Sequence, residues 1–442
     1  METKAQTVTD ENENENENEI VLSEEQEYAS ELFTKFLEDF KRGEALRPFF
    51  VLEGYAGTGK TFSVNTIIQR TGLRAQFMAY TGKAALVLNK YSGVAATTIH
   101  SQIYKLRHVG DEVFKKLYDQ RDNSKSKEDA HAIQLEINEL LKPKFVLNDE
   151  AFEDIDLLVL DECSMVNDEM LQDLVSFGIP IIALGDPGQL PPVVGDGALF
   201  KDRADCLLTE IRRQALDSPI IKWATWARNM RTLPVTDQEG WGVDAVSKLP
   251  RNMLQSDKVE RLMENNDITI CWKNTTRRDL NQMWRKFTGF NDLDPVYPVV
   301  GETIIFLKND KALGVFNGMS AIVEEVGKLM DTYLELTVRT ETQSEFDKPL
   351  KVNVMRVDFE EYHNPEARKA LRPWDFKGKQ IADFGYAVTC HKSQGSQWPK
   401  VLVVEENVLN WNKPGIPEAR AQWLYTAITR ASEQVTIIAG VF

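Results

Sequence analysis

The chain reads as an α/β protein built of two parallel-sheet lobes, each interrupted by an inserted module. Three observations predict this. Short continuous apolar runs recur, each ending in Gly, Asp or Thr, as strands covered on both faces do. Helical stretches separate them, as crossovers between parallel strands require. The rhythm then breaks twice, once for a charged helical segment and once for a set of alternating strands. At 442 residues the chain also exceeds what one hydrophobic core normally supports.

Residues 1–20 hold seven acids and one lysine, have no aromatic residue, and end in an acid–Asn alternation from Glu11 to Glu19. Such a segment cannot bury apolar surface and is read as a disordered acidic tail. A helix is predicted from Ser23, its N-cap, to about Lys41. Runs at Phe49–Leu52, Gln76–Tyr80, Leu157–Leu160 and Ile179–Leu184 form the first lobe, over residues 21–100 and 155–215. Inserted in it, 101–154 places two strand-like stretches (Ile103–Val109, Lys144–Leu147) around a charged helical segment from Asp111 to Leu141. Runs at Ile268–Trp272, Gly385–Thr389, Val401–Val404 and Val435–Ile438 form the second lobe, over 216–300 and 383–442. Its insertion, 301–382, alternates instead (Glu302–Leu307, Ser320–Val326, Leu334–Arg339) and reads as a small β-barrel-like module.

An apolar fraction of 42% and a charged fraction of 27% are those of an ordinary globular protein. No stretch approaches the roughly 18 apolar residues of a membrane span, and no apolar signal segment follows Met1. The expectation is a cytoplasmic protein (the host cytoplasm for a viral source) with no membrane partner. Cys163, Cys206, Cys271 and Cys390 form no CxxC pair and lie in or beside apolar runs, which favours buried reduced thiols. Net charge is −16, about −10 of it outside the tail. This excludes a globally basic nucleic-acid surface; contact with nucleic acid would have to come from a local groove.

Gly54-Tyr-Ala-Gly57-Thr58-Gly59-Lys60-Thr61 follows the first strand and fits G-x-x-x-x-G-K-[ST] in full. Its glycines let backbone N–H groups converge on phosphate at the next helix's N-terminus. Lys60 then neutralises the β- and γ-phosphates of ATP, and the Thr61 hydroxyl helps to hold Mg²⁺. The run Leu157–Leu160 delivers Asp161, the second candidate metal ligand, and Glu162, placed to polarise the attacking water. Gln189 follows another buried run in Gly185-Asp-Pro-Gly-Gln189, where a neutral amide can sense the γ-phosphate; the alternative is a Pro-rich turn. Arg212 or Arg213 can supply a further cation, or make an ordinary surface ion pair.

In this order the motifs resemble superfamily 1 helicases, and within them the 5′→3′ branch (superfamily 1B) of RecD-like and Dda-like enzymes, nearest to the Dda form of T-even bacteriophages. The resemblance runs from about Leu22 to Val441. It adds Leu22-Ser-Glu-Glu-Gln26, Tyr80-Thr-Gly-Lys-Ala-Ala85, Thr97-Thr-Ile-His-Ser101, Arg213-Gln214, Thr389-Cys-His-Lys-Ser-Gln-Gly395 and Tyr425-Thr-Ala-Ile-Thr-Arg430. It implies RecA-like lobes, a pin-like first insertion and an SH3-like second insertion, the latter opened by Phe316-Asn317-Gly318-Met319. Gln26 is similar to an adenine-reading glutamine, Arg430 to an arginine finger from the second lobe, and Arg213 to its companion. Gln394 and Gly395 share the motif that completes the nucleotide site.

The implied activity is ATP-driven 5′→3′ translocation on single-stranded DNA and unwinding of forked duplex by a functional monomer, with replication or recombination proteins as further partners. Thr81, Lys83, Thr97, Thr98 and His100 in the first lobe, and Thr389, His391, Lys392 and Ser393 in the second, are short polar groups suited to phosphate oxygens. Few are charged, which suits an acidic protein; His391 also reads as a buried core histidine. The helical insertion is longer than the short pin of the relatives and leaves the strand-separating residue unassigned. Trp374 and Trp398 read as base-stacking or inter-module packing residues. A nucleotide-switched clamp and an RNA-directed motor remain open alternatives.

Overall fold

The computed structural model describes residues 22–92, 95–107, 110–141, 144–191, 199, 204–211, 217–235, 245–250, 259–364, 366–406 and 416–441. The acidic tail and Arg212 to Gln214 lie outside the described residues. The chain opens with α1 (Glu24–Arg42), β1 (Phe49–Gly54), α2 (Lys60–Thr71), β2 (Ala75–Ala79), α3 (Gly82–Ser92) and β3 (Ala96–Thr98). A short α4 (Ile99–Ile103) leads into β4 (Tyr104–Arg107), α5 (Asp111–Asp122), α6 (Lys127–Leu141) and β5 (Lys144–Leu147). Then follow β6 (Leu157–Asp161), α7 (Asp168–Ser176), β7 (Ile181–Gly185) and β8 (Cys206–Leu208). The first sheet is wholly parallel, in the order β3-β2-β6-β7-β1-β8.

Its apolar runs are continuous because both faces are covered. Leu157, Val159, Ile182 and Leu184 pack with Phe33 of α1 and Val64 of α2. Leu158, Leu160, Ile181 and Ala183 pack on the other face with Ile99 of α4 and Leu174 of α7. Neighbours in one strand thus enter different cores.

The second sheet comes from α8 (Pro219–Arg228), β9 (Val246–Leu249), α9 (Val259–Glu264), β10 (Ile268–Cys271) and α10 (Asn274–Phe287). An antiparallel module interrupts it: β11 (Thr303–Phe306), β12 (Ser320–Leu329), β13 (Tyr333–Thr340), β14 (Leu350–Met355) and β15 (Ala382–Phe384). The lobe resumes with β16 (Ala387–Thr389), α11 (Cys390–Ser393), β17 (Trp398–Glu406), α12 (Ile416–Ile428) and β18 (Ala431–Val441), giving the parallel order β16-β10-β17-β18-β9. The interrupting module runs β14-β13-β12-β11-β15, and its two ends meet where Gln380 bridges to β14. Among the described residues no helix is long and apolar enough to cross a membrane. All four cysteines are free and buried.

The charged segment of the first insertion is two helices, not one. Asn123 ends α5, and the Ser126 hydroxyl accepts from the Asp129 N–H at 3.3 Å to start α6, as short polar side chains that compete for the backbone do. The pair stands on the two-stranded ladder β4-β5 and has a small core of Phe114, Leu117, Tyr118 and Ile137. Trp374 is an inter-module contact: its ring meets Tyr118 edge-on at 5.6 Å, Arg372 lies 4.2 Å over the Tyr118 ring, and Lys377 pairs with Asp111 at 3.0 Å.

Among the described residues two buried ion pairs, Arg285–Glu302 and Arg277–Asp383, fix the antiparallel module to α10. Arg285 and Glu302 are both fully buried and bonded at 2.8 Å, and Arg285 also donates to the carbonyls of Asp294, Pro295 and Tyr297. Arg285→Met strands a buried carboxylate and is expected to cost about 3–5 kcal/mol in denaturant unfolding; a loss under about 1 kcal/mol would mean that water reaches Glu302.

Candidate nucleotide and strand-binding sites

The phosphate loop is shaped by glycine. Gly57 and Gly59 have φ of 84° and 78°, the left-handed region that L side chains rarely adopt, and Gly59 caps the 12-residue helix α2. The loop N–H groups therefore curl at a helix N-terminus, where anions are favoured. A Cβ on Gly54 would stand 2.6 Å from the Thr58 hydroxyl. The Lys60 ammonium is folded back on its own loop, donating to Gly54 O at 2.6 Å and Tyr55 O at 3.4 Å. The Thr61 hydroxyl donates to Asp161 Oδ2 at 3.0 Å, joining α2 to the end of β6. Gln26 is buried; its Oε1 accepts from the Ser23 N–H at 3.1 Å and its Nε2 donates to Thr58 O at 3.0 Å. It ties α1 to the phosphate loop.

Glu162 holds a φ of 51°, strained for a residue with a side chain. Burial pushes its carboxyl up from the ordinary range. Arg430 and Lys60 pull it down, and Asp161 and Asp186 push it up. A cation from each lobe thus lies near enough to Glu162 to act on its charge. Arg430 is held ready by donation to Thr426 O at 3.1 Å, Ser396 O at 3.3 Å and the Thr429 hydroxyl at 3.2 Å. Gln189 is buried and its Oε1 has no hydrogen-bond partner among the described residues, an unusual state for a buried amide.

Tyr425 fastens the lobes at this point. Its hydroxyl accepts from the Ala56 N–H at 2.9 Å and donates to Asp186 Oδ2 at 2.6 Å. Next to it the Thr426 hydroxyl accepts from Leu190 N–H at 3.0 Å. Within Tyr425-Thr-Ala-Ile-Thr-Arg430 the sequence marks Arg430 alone, and the part played by Tyr425 emerges only from the packing of the two lobes. Gln394 donates to Leu190 O at 3.0 Å, and Gly395 (φ 73°) leaves room for Thr81 and Ala84. Both therefore stand against the first lobe, beside a cleft, rather than on the phosphate loop.

That cleft, about 560 Å³, lies between the lobes and both insertions. Thr81, Lys83, Thr98, His100, His391 and Lys392 line it; Thr97, Thr389 and Ser393 do not. Ser393 is fully buried and donates to Cys390 O at 2.7 Å, while Thr97 donates to Gln102 Oε1 at 3.2 Å. Lys83 is no free phosphate ligand here: it pairs with Glu341 of the antiparallel module at 3.1 Å and lies 4.5 Å over the Trp398 ring. Tyr104, Phe145, Asn309 and Asn317 also line the cleft and were not singled out from sequence as strand contacts. Alternation along β4 and β5 would have pointed to the two aromatics; Asn317 sat inside a quoted motif.

His100 packs among Tyr80, Tyr104 and Phe145 at ring distances of 5.6 to 5.7 Å, and His391 lies edge-on to Trp272 at 6.4 Å. Burial lowers the pKa of both imidazoles, and burial also lowers that of Lys392, beside Arg277. Both imidazoles are thus neutral above pH 7, and a proton enters either ring only as pH falls below the ordinary imidazole range. NMR titration should find both histidines below that of an exposed His; a midpoint at or above it would mean the rings are solvated.

Residues 44–235 match the model of an AAA domain, and residues 384–438 that of a UvrD-like helicase C-terminal domain. The chain is 26% identical over 404 residues to the ATP-dependent RecD2 DNA helicase of Deinococcus radiodurans, covering 87% of the chain and 46% of that protein. It is 22% identical over 438 residues to the ATP-dependent DNA helicase Pif1 of Campylobacter jejuni, covering 87% of each. With the ATP-dependent DNA helicase dda of Enterobacteria phage T4 the identity is 30% over 223 residues, 47% of the chain and 43% of that protein. The chain thus spans less than half the length of RecD2 and of dda, and the similarity to dda reaches only about half of the chain.

Proposed function

Because the chain belongs to the Pif1- and RecD-like superfamily 1B helicases, we propose that it hydrolyses ATP to translocate 5′→3′ on single-stranded DNA and unwind forked duplex. The observation that carries this is the seating of the second lobe on the phosphate loop: the Tyr425 hydroxyl bonds Ala56 and Asp186, and Arg430 lies near enough to Glu162 to act, with Lys60, on its charge. A triphosphate in that position is bonded from both sides, so cleavage removes the charge that draws the lobes together. All these groups come from one chain, which supports a functional monomer.

Two RecA-like lobes (21–100 with 155–215, and 216–300 with 383–442), a pin-like module at 101–154 and an SH3-like module at 301–382 make up the machine. Lys60 leaves the carbonyls of Gly54 and Tyr55 for the phosphates. Glu162 takes the proton of the attacking water, Gln189 positions that water with its unpartnered carbonyl, and Arg430, with Arg213, neutralises charge in the transition state. Gln26 reads the base. Mg²⁺ would be held by the oxygens of Thr61 and Asp161 and would supply charge neutralisation at the phosphates. Two protein oxygens suit an ion that keeps most of its shell for waters and phosphates, and among the described residues no larger cluster of ligands competes. The cleft takes the strand, on hydroxyls, amides and aromatic faces rather than a field of cations.

Lys60→Ala and Arg430→Ala should each lower oligo-dT-stimulated ATPase by about 100-fold or more. A wild-type rate indifferent to oligo-dT, or an active Arg430→Ala protein, counts against the two-lobe engine. As the carboxylate form of Glu162 is the working one and its pKa is raised, the acid limb of the rate profile should lie above the ordinary carboxylate range. Streptavidin displacement from one end only of a biotinylated strand tests the direction of travel.

A further inference from the structure

The last residue of α8, Arg228, has no place in any motif, yet it crosses from the second lobe to the phosphate loop. Its guanidinium carbon stands 3.4 Å from the centre of the Tyr55 ring and 5.9 Å from that of Tyr425. Tyr55 is the first residue of the loop after Gly54, and its carbonyl is the hub of the loop's turn. It accepts from Thr58 N at 3.3 Å, from the Thr58 hydroxyl at 2.9 Å and from Lys60 Nζ at 3.4 Å. The next N–H, of Ala56, is taken by the Tyr425 hydroxyl. Two consecutive loop residues are therefore held by the second lobe, one through its ring and one through its backbone.

A third observation fits the same contact. A Cβ on Gly188, in Gly185-Asp-Pro-Gly-Gln189, would stand 2.9 Å from the Tyr425 ring and 3.2 Å from Arg228 Cδ. Glycine there makes the space in which Arg228 and Tyr425 reach the loop. The guanidinium faces aromatic rings from a helix C-terminus, where a cation is favoured, and an arginine over a ring keeps its hold while partly desolvated.

We propose that Arg228 is a positioning residue for nucleotide hydrolysis: with Tyr425 it forms a two-point clasp by which the second lobe sets the conformation of the phosphate loop through the Tyr55 ring. The inference rests on the nucleotide-engine reading above. Lys60 must leave the Tyr55 carbonyl to meet phosphate, so the loop changes shape as nucleotide binds, and the clasp makes the second lobe feel that change. It acts on turnover more than on nucleotide affinity, because neither Arg228 nor the Tyr55 ring needs to touch the phosphates.

The test is a double-mutant cycle of R228Q and Y55L in the full chain, with Y55F as the conservative variant, read as kcat and KM for ATP under saturating oligo-dT and as melting temperature. Each single variant should lower kcat about 10-fold with KM within about 3-fold, and the double variant should be no slower than either single, since both break one contact. Y55F, which keeps the ring, should stay within about 2-fold of wild type. Losses that multiply in the double variant overturn the proposal. So does a Y55F variant as slow as Y55L, or an R228Q variant whose KM rises about tenfold while Y55L is neutral, the pattern of a direct phosphate ligand. If R228Q does not fold, the Y55F and Y55L pair decides alone. An active wild type with multiplicative losses removes the clasp and leaves the engine standing; a wild type without ATPase removes both.

Discussion

The Tyr425 hydroxyl occupies a place where phosphate loop, first sheet and second lobe converge. It accepts from the Ala56 N–H and donates to Asp186, so two groups of the first lobe share a single oxygen of the second. Everything that makes the site composite follows from that registration. Thr426 and Gln394 bond to the backbone of Leu190, and Arg430, five residues beyond Tyr425, acts on the charge of Glu162 together with Lys60 of the first lobe. Burial pushes the Tyr425 hydroxyl's pKa well up, so it stays protonated and keeps its donor role across physiological pH.

Legibility from sequence followed the range of the interactions involved. The phosphate loop and the strand ending in Asp161-Glu162 were readable because the chemistry needs adjacent residues with fixed backbone geometry. The parallel sheets were readable because two-sided burial makes uninterrupted apolar runs. What could not be read was pairing at a distance. Lys83 looks like a phosphate ligand in Tyr80-Thr-Gly-Lys, but its carboxylate partner Glu341 lies 258 residues away. Ser393 looks like a surface hydroxyl and is fully buried. Arg228 carries no motif, because its target is a ring on another lobe. The break between α5 and α6 was hidden in a segment whose charge pattern is helical on both sides, and only Asn123 and Ser126 mark it.

The acidity of the chain ceases to be a paradox once the cleft is inspected. Of its two lysines Lys83 is paired with Glu341, burial lowers the pKa of its histidines, and apart from Lys392 its other polar side chains are amides and hydroxyls. Directional donors and ring faces can hold a polyanion without a positive potential reaching into solvent.

The contact of Tyr118 with Trp374, backed by the Lys377–Asp111 pair, joins the two insertions to one another across residues that lie far apart in the chain. Tyr104 and Phe145 of the first insertion and Asn309 and Asn317 of the second wall the cleft, so the two modules cannot move apart without parting the Tyr118–Trp374 contact and the Lys377–Asp111 pair.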